Sequence, residues 1–484
     1  MKVLFLIGPD DPKEKNTYLV RVDRWPGRKM RKYFKDTVIQ VYPFWLAYSA
    51  AVLKQEGFAA SFIDAMVEQI TMEETMRRIK DIAPDLVVIQ TSTPSIEIDL
   101  EITKRVKETV GAPTVLVDCH ATYFHQDLIQ NPYVDFIVRG EMEMGIKEIA
   151  TILRDKGDFR KVLGITYKED GRVVINPDRP LIKDLDTLPF PDRDLIDQRN
   201  YREELCRHPP YFQLFGSRGC PFNCVFCLWI GPMFRHKVRL RKVSKICDEI
   251  EHLKERYGAR EIFLYDDTLN VTIDRVMEIC QAFIDRKLNI HWLCQMRPDK
   301  TSPEMFRMMK RCGCRLVVFG IESGSQKMLD ESIGKRATRE QGMNAVKWCQ
   351  GAGITAHTTF VVGVPGETKE TIAETAAYIK ELKPEAFQVS IATPYPGSRY
   401  YEMIKDQPHD WRDFDANSGA SFCEDLTAEE LQQAIHQMYT GYYLTPLNLL
   451  KRIFKIRSWD DFMANWDQGK AFIGRYLARK ALKK

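Results

Sequence analysis

No apolar run in this sequence approaches the roughly 18 residues that a membrane-spanning helix needs. The stretch at residues 1–7 is likewise too short for a signal-peptide core. A spanning or secreted protein is therefore not expected, and the chain is read as cytoplasmic. Charge of one sign is also missing: 71 Lys and Arg face 67 Asp and Glu. That balance gives no global electrostatic case for a nucleic-acid partner. Internal repeats and low-complexity tracts are absent, and 44% apolar with 29% charged residues excludes wholesale disorder, collagen and coiled coil. The first apolar run ends in Ile7-Gly8-Pro9-Asp10, without the glycine-rich turn that a dinucleotide pyrophosphate requires.

What charge imbalance exists is local. Residues 12–35 hold nine basic and two acidic side chains, and residues 451–484 hold ten and three. The second segment interleaves its charges with aromatics, so it reads either as a helical cap with solvated charges or as a peripheral contact with an anionic lipid surface. The basic loop at 12–35 would add a second positive patch to the lipid reading.

A length of 484 residues suggests about three folding units. Residues 1–155 alternate short apolar runs with amphipathic stretches. Strands are expected over 2–7, 59–64, 85–91, 114–118 and 135–139, and repeated strand-helix units mean parallel strands covered by helices. A doubly wound domain of five strands follows from this, with ligands expected beyond the carboxyl ends of the strands. Between residues 7 and 42 lies a long basic segment without period, of the kind that is functional or disordered. Residues 156–205, with a hairpin pattern over 164–175 and the proline-rich Leu188-Pro189-Phe190-Pro191, read as a linker. Strands then recur over 212–215, 261–265, 291–295, 315–321, 355–362 and 386–391. Six such units within 206–410 suit a partial (β/α)6 barrel, and 411–484 reads as a basic helical region.

Directly after the first strand of this second series comes Gly216-Ser217-Arg218-Gly219-Cys220-Pro221-Phe222-Asn223-Cys224-Val225-Phe226-Cys227. Among twelve cysteines expected to be reduced in the cytoplasm, these three sit in a loop where their sulfurs can converge. Structural zinc takes four protein ligands, and the nearest candidate for a fourth is His236. Three thiolates suit a [4Fe-4S] cluster with one iron left open. The remaining cysteines lack such spacing; Cys312-Gly313-Cys314 reads as a turn, and Cys294, inside a strand, could face either the helices or the substrate.

A Cys-x3-Cys-x2-Cys loop with Phe226 before its last cysteine resembles the radical S-adenosylmethionine (SAM) enzymes over about residues 210–400. The resemblance implies that Cys220, Cys224 and Cys227 hold the cluster. Its open iron would then chelate SAM, which electron transfer cleaves to methionine and a 5'-deoxyadenosyl radical. Later strand ends match the same family and imply further cofactor-binding residues: Asp266 and Asp267 toward the SAM ammonium, Arg297 at the end of the third strand, Glu322 near the SAM methionine or ribose with Ser323 beside it, and Gly363 and Thr393 at the last two strands.

A doubly wound domain ahead of such a barrel resembles the cobalamin-binding radical SAM class. The matching strings are Tyr42-Pro43-Phe44-Trp45, Ser92-Thr93, Asp118-Cys119-His120 and Arg139-Gly140-Glu141. The resemblance places a corrin against these loops, with Ser92, Thr93, His120, Gly140 and Glu141 as binding residues. The usual Asp-x-His-x-x-Gly pattern is incomplete here, so His120 reads as a pocket residue rather than a cobalt ligand. A cobalamin-dependent radical SAM enzyme is thus expected, transferring a methyl group to an unactivated carbon of a small or lipid-like molecule and drawing electrons from an external low-potential donor. The alternatives are a ring-forming or rearranging relative without methyl transfer, a radical SAM enzyme whose first domain only docks substrate, and a non-catalytic iron-sulfur protein.

Overall fold

In this computed structural model, residues 1–10, 42–201, 203, 205–415 and 422–445 are described in full and 17–20 and 27–30 as backbone. Most of the basic loop before Tyr42 and the whole basic segment 451–484 lie outside the described residues.

Two sheets, one mixed and one wholly parallel, carry the fold. The first contains β1 (Lys2–Ile7), β2 (Ala59–Asp64), β3 (Leu86–Gln90), β4 (Thr114–Val117), β5 (Phe136–Val138), β6 (Ile165–Glu169) and β7 (Arg172–Ile175), in the order β2-β1-β3-β4-β5-β6-β7. Its first five strands are parallel, and β3 and β4 are buried along their whole length, as sheets covered on both faces demand. Helices stop where the chain turns left-handed: Gly111, at φ +68°, follows the helix Ile96–Val110. The hairpin expected inside the linker belongs to this sheet instead. β6 pairs antiparallel with β5, Phe136 opposite Tyr167, because alternate apolar residues of β6 complete the core that β5 leaves uncovered.

The second sheet holds β8 (Tyr211–Leu214), β9 (Glu261–Leu264), β10 (His291–Met296), β11 (Cys314–Glu322), β12 (Thr355–Val362) and β13 (Ala386–Ile391), parallel and in sequence order. This is the expected six-unit partial barrel. Helices such as Arg339–Gly351 start at full capping boxes, with Thr338 and Gln341 each satisfying the other's backbone N–H. Register puts Leu264, Cys294, Val317 and Ala356 in one row, within the core shared with the covering helices. Cys294 therefore faces the helices and not the substrate. Cys312-Gly313-Cys314 is a turn, with Gly313 at φ +98° and room for a Cβ only 2.3 Å from the Ile290 carbonyl.

The concave side of the barrel strands closes onto the first domain. Phe263, Leu293 and Val318 share one continuous core with Phe44, Trp45 and Leu46 of the helix Phe44–Gln55. Beyond the barrel the helix Ala428–Tyr443 packs back on the sheet, where Tyr439 and Tyr443 accept hydrogen bonds from the Val389 and Phe387 backbone. No helix among the described residues is long and apolar enough to cross a membrane.

Candidate active site

The cysteine loop leaves β8 and is tied down by the end of β9. Asp266 accepts from the Gly216 N–H at 2.6 Å and from the Ser217 hydroxyl at 2.7 Å, and Asp267 accepts from the Gly219 N–H at 2.8 Å. Both carboxylates thus hold the loop itself rather than projecting only toward a ligand. Gly219 takes φ +91°, and a Cβ there would lie 2.1 Å from the Lys237 carbonyl oxygen; no other residue fits. Farther on, the Val225 N–H reaches the Ile333 carbonyl and the Cys227 N–H the Cys224 carbonyl, each at 3.0 Å.

The three thiols of the loop lie within electrostatic reach of one another. Burial raises the Cys227 thiol to about 12, and the charges of Cys224 and Cys220 add to the rise. Burial also raises Cys224, with Lys335 and Arg297 working the other way. Cys220 Sγ stands 3.2 Å from the Thr268 hydroxyl. Among the described residues no three His, Cys, Asp or Glu side chains converge as closely as a single ion requires. Three neighbouring thiols with no fourth ligand beside them among the described residues suit a cuboidal cluster better than zinc.

Around Cys224 stands a ring of buried charge. Lys335 Nζ pairs with Glu322 Oε1 at 2.8 Å; Arg297 donates to Asp299 at 2.8 Å and to the Lys335 carbonyl, and stacks 3.5 Å over the Phe222 ring of the cysteine loop. Glu322 adopts φ +70° and folds over Gly320, whose Cβ would meet it at 2.5 Å. A zwitterion with one carboxylate and one ammonium fits this alternation of charges. Ser323 is placed beside the pair by Thr375, 3.2 Å from its hydroxyl. Gly363, at φ +80°, ends β12 with its N–H on Glu367, and Thr393 ends β13, its hydroxyl donating to the Ile391 carbonyl at 3.4 Å.

Against the end of the cysteine loop and the helix that follows it lie the strand-end loops of the first domain. His120 Nδ1 lies 3.1 Å from the Thr93 hydroxyl, and the ring is enclosed by Phe124 and Trp411. Burial depresses its pKa to about 3, so the imidazole is neutral. Ser92 Oγ meets Ser95 Oγ at 2.7 Å, and Gln90 donates to Asp118 while its own Oε1 is buried without a hydrogen-bond partner. An amide-rimmed ring such as a corrin suits that acceptor. The loops touch the barrel directly: the Thr122 hydroxyl contacts Met233 Sδ at 4.0 Å, and a Cβ on Gly140 would lie 3.8 Å from the Pro232 carbonyl. Cys119 lies close enough to Cys227 for their charges to interact. Glu141 departs from its expected place. Its oxygens are taken by Arg218, Arg239 and the Ile182 N–H, which makes it an ion-pairing residue between domains, not a cofactor contact. A cavity of about 340 Å³ beside the connector, lined by Gln55, Asp186, Phe190 and Arg241 among others, contains none of these residues.

Sequence reasoning passed over Lys335, Asp299 and Arg218. Lys335 follows a glycine thirteen positions after Glu322, too far to pair on any local rule. Arg218 stood inside the cysteine motif itself, and a charge amid glycine and apolar neighbours was the one signal available.

A six-strand parallel barrel with a cysteine triad after its first strand defines a radical SAM enzyme. The radical SAM superfamily profile matches residues 214–379, and the B12 binding domain profile matches residues 36–165. An uncharacterized methyltransferase of Pyrococcus horikoshii is 33% identical over 422 residues, covering 85% of this chain and 90% of that one. The anaerobic magnesium-protoporphyrin IX monomethyl ester cyclase of Cereibacter sphaeroides is 29% identical over 416 residues, 83% and 67% of the two chains. The fold resembles that of the radical S-adenosylmethionine methyltransferase TsrM from Kitasatospora setae, solved with cobalamin and a [4Fe-4S] cluster, with a TM-score of 0.65 at 16% identity over 84% of this chain and 75% of that one. The chain belongs to the radical SAM superfamily, in the group whose barrel follows a B12 binding domain. Its cofactors are a [4Fe-4S] cluster, SAM and cobalamin.

Proposed function

We propose that this enzyme methylates an unactivated carbon of a small-molecule substrate held between its two domains. The observation that carries the reading is the opposition of the two strand-end edges: the helix Cys119–Tyr123 of the corrin side lies against the helix Ile230–Phe234 that follows the cysteine loop. When bound, the cluster supplies the electron that cleaves SAM, and the cobalt supplies the methyl group.

In this reading Cys220, Cys224 and Cys227 ligate the cluster. Arg297, Glu322 and Ser323 hold the methionine and ribose parts of SAM, with the backbone at Gly363 and Thr393 closing the far side, while Asp266 and Asp267 keep the cysteine loop in place. Ser92, Thr93, His120 and Gly140 line the corrin, His120 as a neutral wall residue. The residues' work is to hold two reactive groups at contact range of one substrate and to keep water out. A lipid-like substrate is favoured by the aromatic cluster at the interdomain edge, where Tyr123, Phe124, Tyr401, Trp411 and Phe414 pack on one another. The basic segment 451–484 would bring the enzyme to the lipid, and flotation of the full chain with phosphatidylglycerol but not phosphatidylcholine vesicles is the expected result.

The chain is reconstituted anaerobically with iron, sulfide and hydroxocobalamin, then given SAM and a low-potential reductant. Stoichiometric corrin, 5'-deoxyadenosine and S-adenosylhomocysteine are expected. Deoxyadenosine without S-adenosylhomocysteine would favour the cyclase-type reading, and deoxyadenosine without corrin would reassign the first domain. Cleavage of SAM surviving in Cys224→Ala would refute the cluster ligands.

A further inference from the structure

Arg218 is the residue of the cysteine loop that leaves its own domain. Two positions before Cys220, its side chain crosses to the first domain and is 3% exposed there. One arm of the guanidinium reaches Glu141 at 2.8 Å and the other reaches Glu143 at 2.6 Å. Its faces meet the rings of Trp45 at 4.6 Å and Tyr48 at 5.2 Å. Trp45 also packs on Phe215, Trp229 and Phe234, with centroids 5.0, 5.6 and 5.8 Å away, so the same helix supports the loop from both ends.

Such an arrangement exceeds what a domain contact needs. An exposed pair contributes little, whereas a buried guanidinium without partners is prohibitive. The cysteine loop can therefore take its observed course only while Glu141 and Glu143 are in place. Arg239, on the strand that pairs with Ser217–Arg218, converges on Glu141 at 2.7 Å and closes the clamp. Glu143 is fully buried, and its second oxygen has no hydrogen-bond partner, so it is committed to Arg218.

We infer that Arg218 is a positioning residue through which the B12 binding domain sets the course of the cluster-binding loop, making the assembly and environment of the cluster depend on the corrin domain. The inference rests on the ligand reading proposed above and adds a role for the first domain besides carrying cobalamin. A planar fork matching two carboxylates is needed, which lysine cannot reproduce.

Arg218→Met alone strands a buried carboxylate and can fail to fold, so the informative variant is the charge-balanced Arg218→Met with Glu143→Gln, which leaves Glu141 paired with Arg239. After anaerobic reconstitution, iron and sulfide per chain, bound hydroxocobalamin, the unfolding midpoint and the electron paramagnetic resonance spectrum of the reduced cluster with and without SAM are compared. Corrin content is expected to hold, with the midpoint within roughly 5 °C of the parent. Cluster content should fall at least ~3-fold, and the remaining cluster should show a broadened spectrum without the SAM-induced change. Arg218→Lys should show the same spectral defect in milder form. Parent-like cluster content and spectrum in the double variant would overturn the inference, even with a lowered midpoint. Parallel loss of both cofactors with a collapsed midpoint would overturn it too, in favour of general structural support. Cys224→Ala serves as the separate control: a cluster persisting there would refute the ligand assignment whatever Arg218 does.

Discussion

Glu322 and Lys335 form an ion pair inside the barrel mouth, 2.8 Å apart, with 11% and 6% of their side chains exposed. Lys335 also stands close enough to Cys224 to stabilise its thiolate. Replacing Lys335 by Met leaves the carboxylate without its partner and is expected to cost on the order of 3 kcal/mol of stability. SAM affinity of the cluster-loaded enzyme, measured by equilibrium dialysis, should fall at least ~10-fold. Glu322→Gln keeps the shape and should weaken SAM binding less. Equal affinities in parent and Lys335→Met would remove this pair from the SAM pocket.

Asp266 carries two hydrogen bonds to the start of the cysteine loop. Charge-assisted bonds of this kind are each worth about 1.5–3 kcal/mol. Asp266→Ala should therefore destabilise the chain by a few kcal/mol and reduce reconstituted iron, while Asp266→Asn, which keeps one acceptor, should retain more of both. Thermal unfolding and iron analysis decide the ranking.

Gly219→Ala combines a left-handed backbone with a Cβ 2.1 Å from a backbone oxygen. The loop must shift to admit it, so the variant should bind corrin normally yet fail to hold a full cluster. Normal iron content in Gly219→Ala would show that the loop has slack this geometry denies it.

Burial raises Glu367 to about 7 from an ordinary 4.5, against hydrogen bonds from Gly363 and Thr371 that pull it down. Between those two values the folded chain holds a proton that the unfolded chain has lost, so its contribution is complete below about pH 4.5 and disappears as pH rises through 7. Glu367→Gln is neutral throughout. Its unfolding midpoint, relative to the parent, should rise between pH 5 and pH 8. A pH-independent difference would contradict the raised value.

The periodicity of the chain carried much of the architecture. Short apolar runs such as Leu86–Ile89, alternating with helical patterns, read as buried parallel strands, and glycine and proline marked the strand ends. The cysteine spacing, being local, was equally legible and led to the family and its cofactors. The hairpin at 165–175 was legible as a hairpin but not as part of the first sheet, since strand pairing across 30 residues leaves no mark in local pattern. Asp266 and Glu141 show the same limit: each was visible as a carboxylate at a strand end, yet its partner was set by the approach of another segment.

By itself, then, the sequence determined the order of strands and helices, the cysteine triad and the class of chemistry, because each depends on residues within a dozen positions of one another. Only the tertiary structure decided which charges meet. Arg218 joins Glu141 and Glu143 from 77 and 75 positions away. Such pairs form because packing two apolar faces together leaves no water for the charges between them, and a buried charge must take the counter-charge that the fold brings within reach.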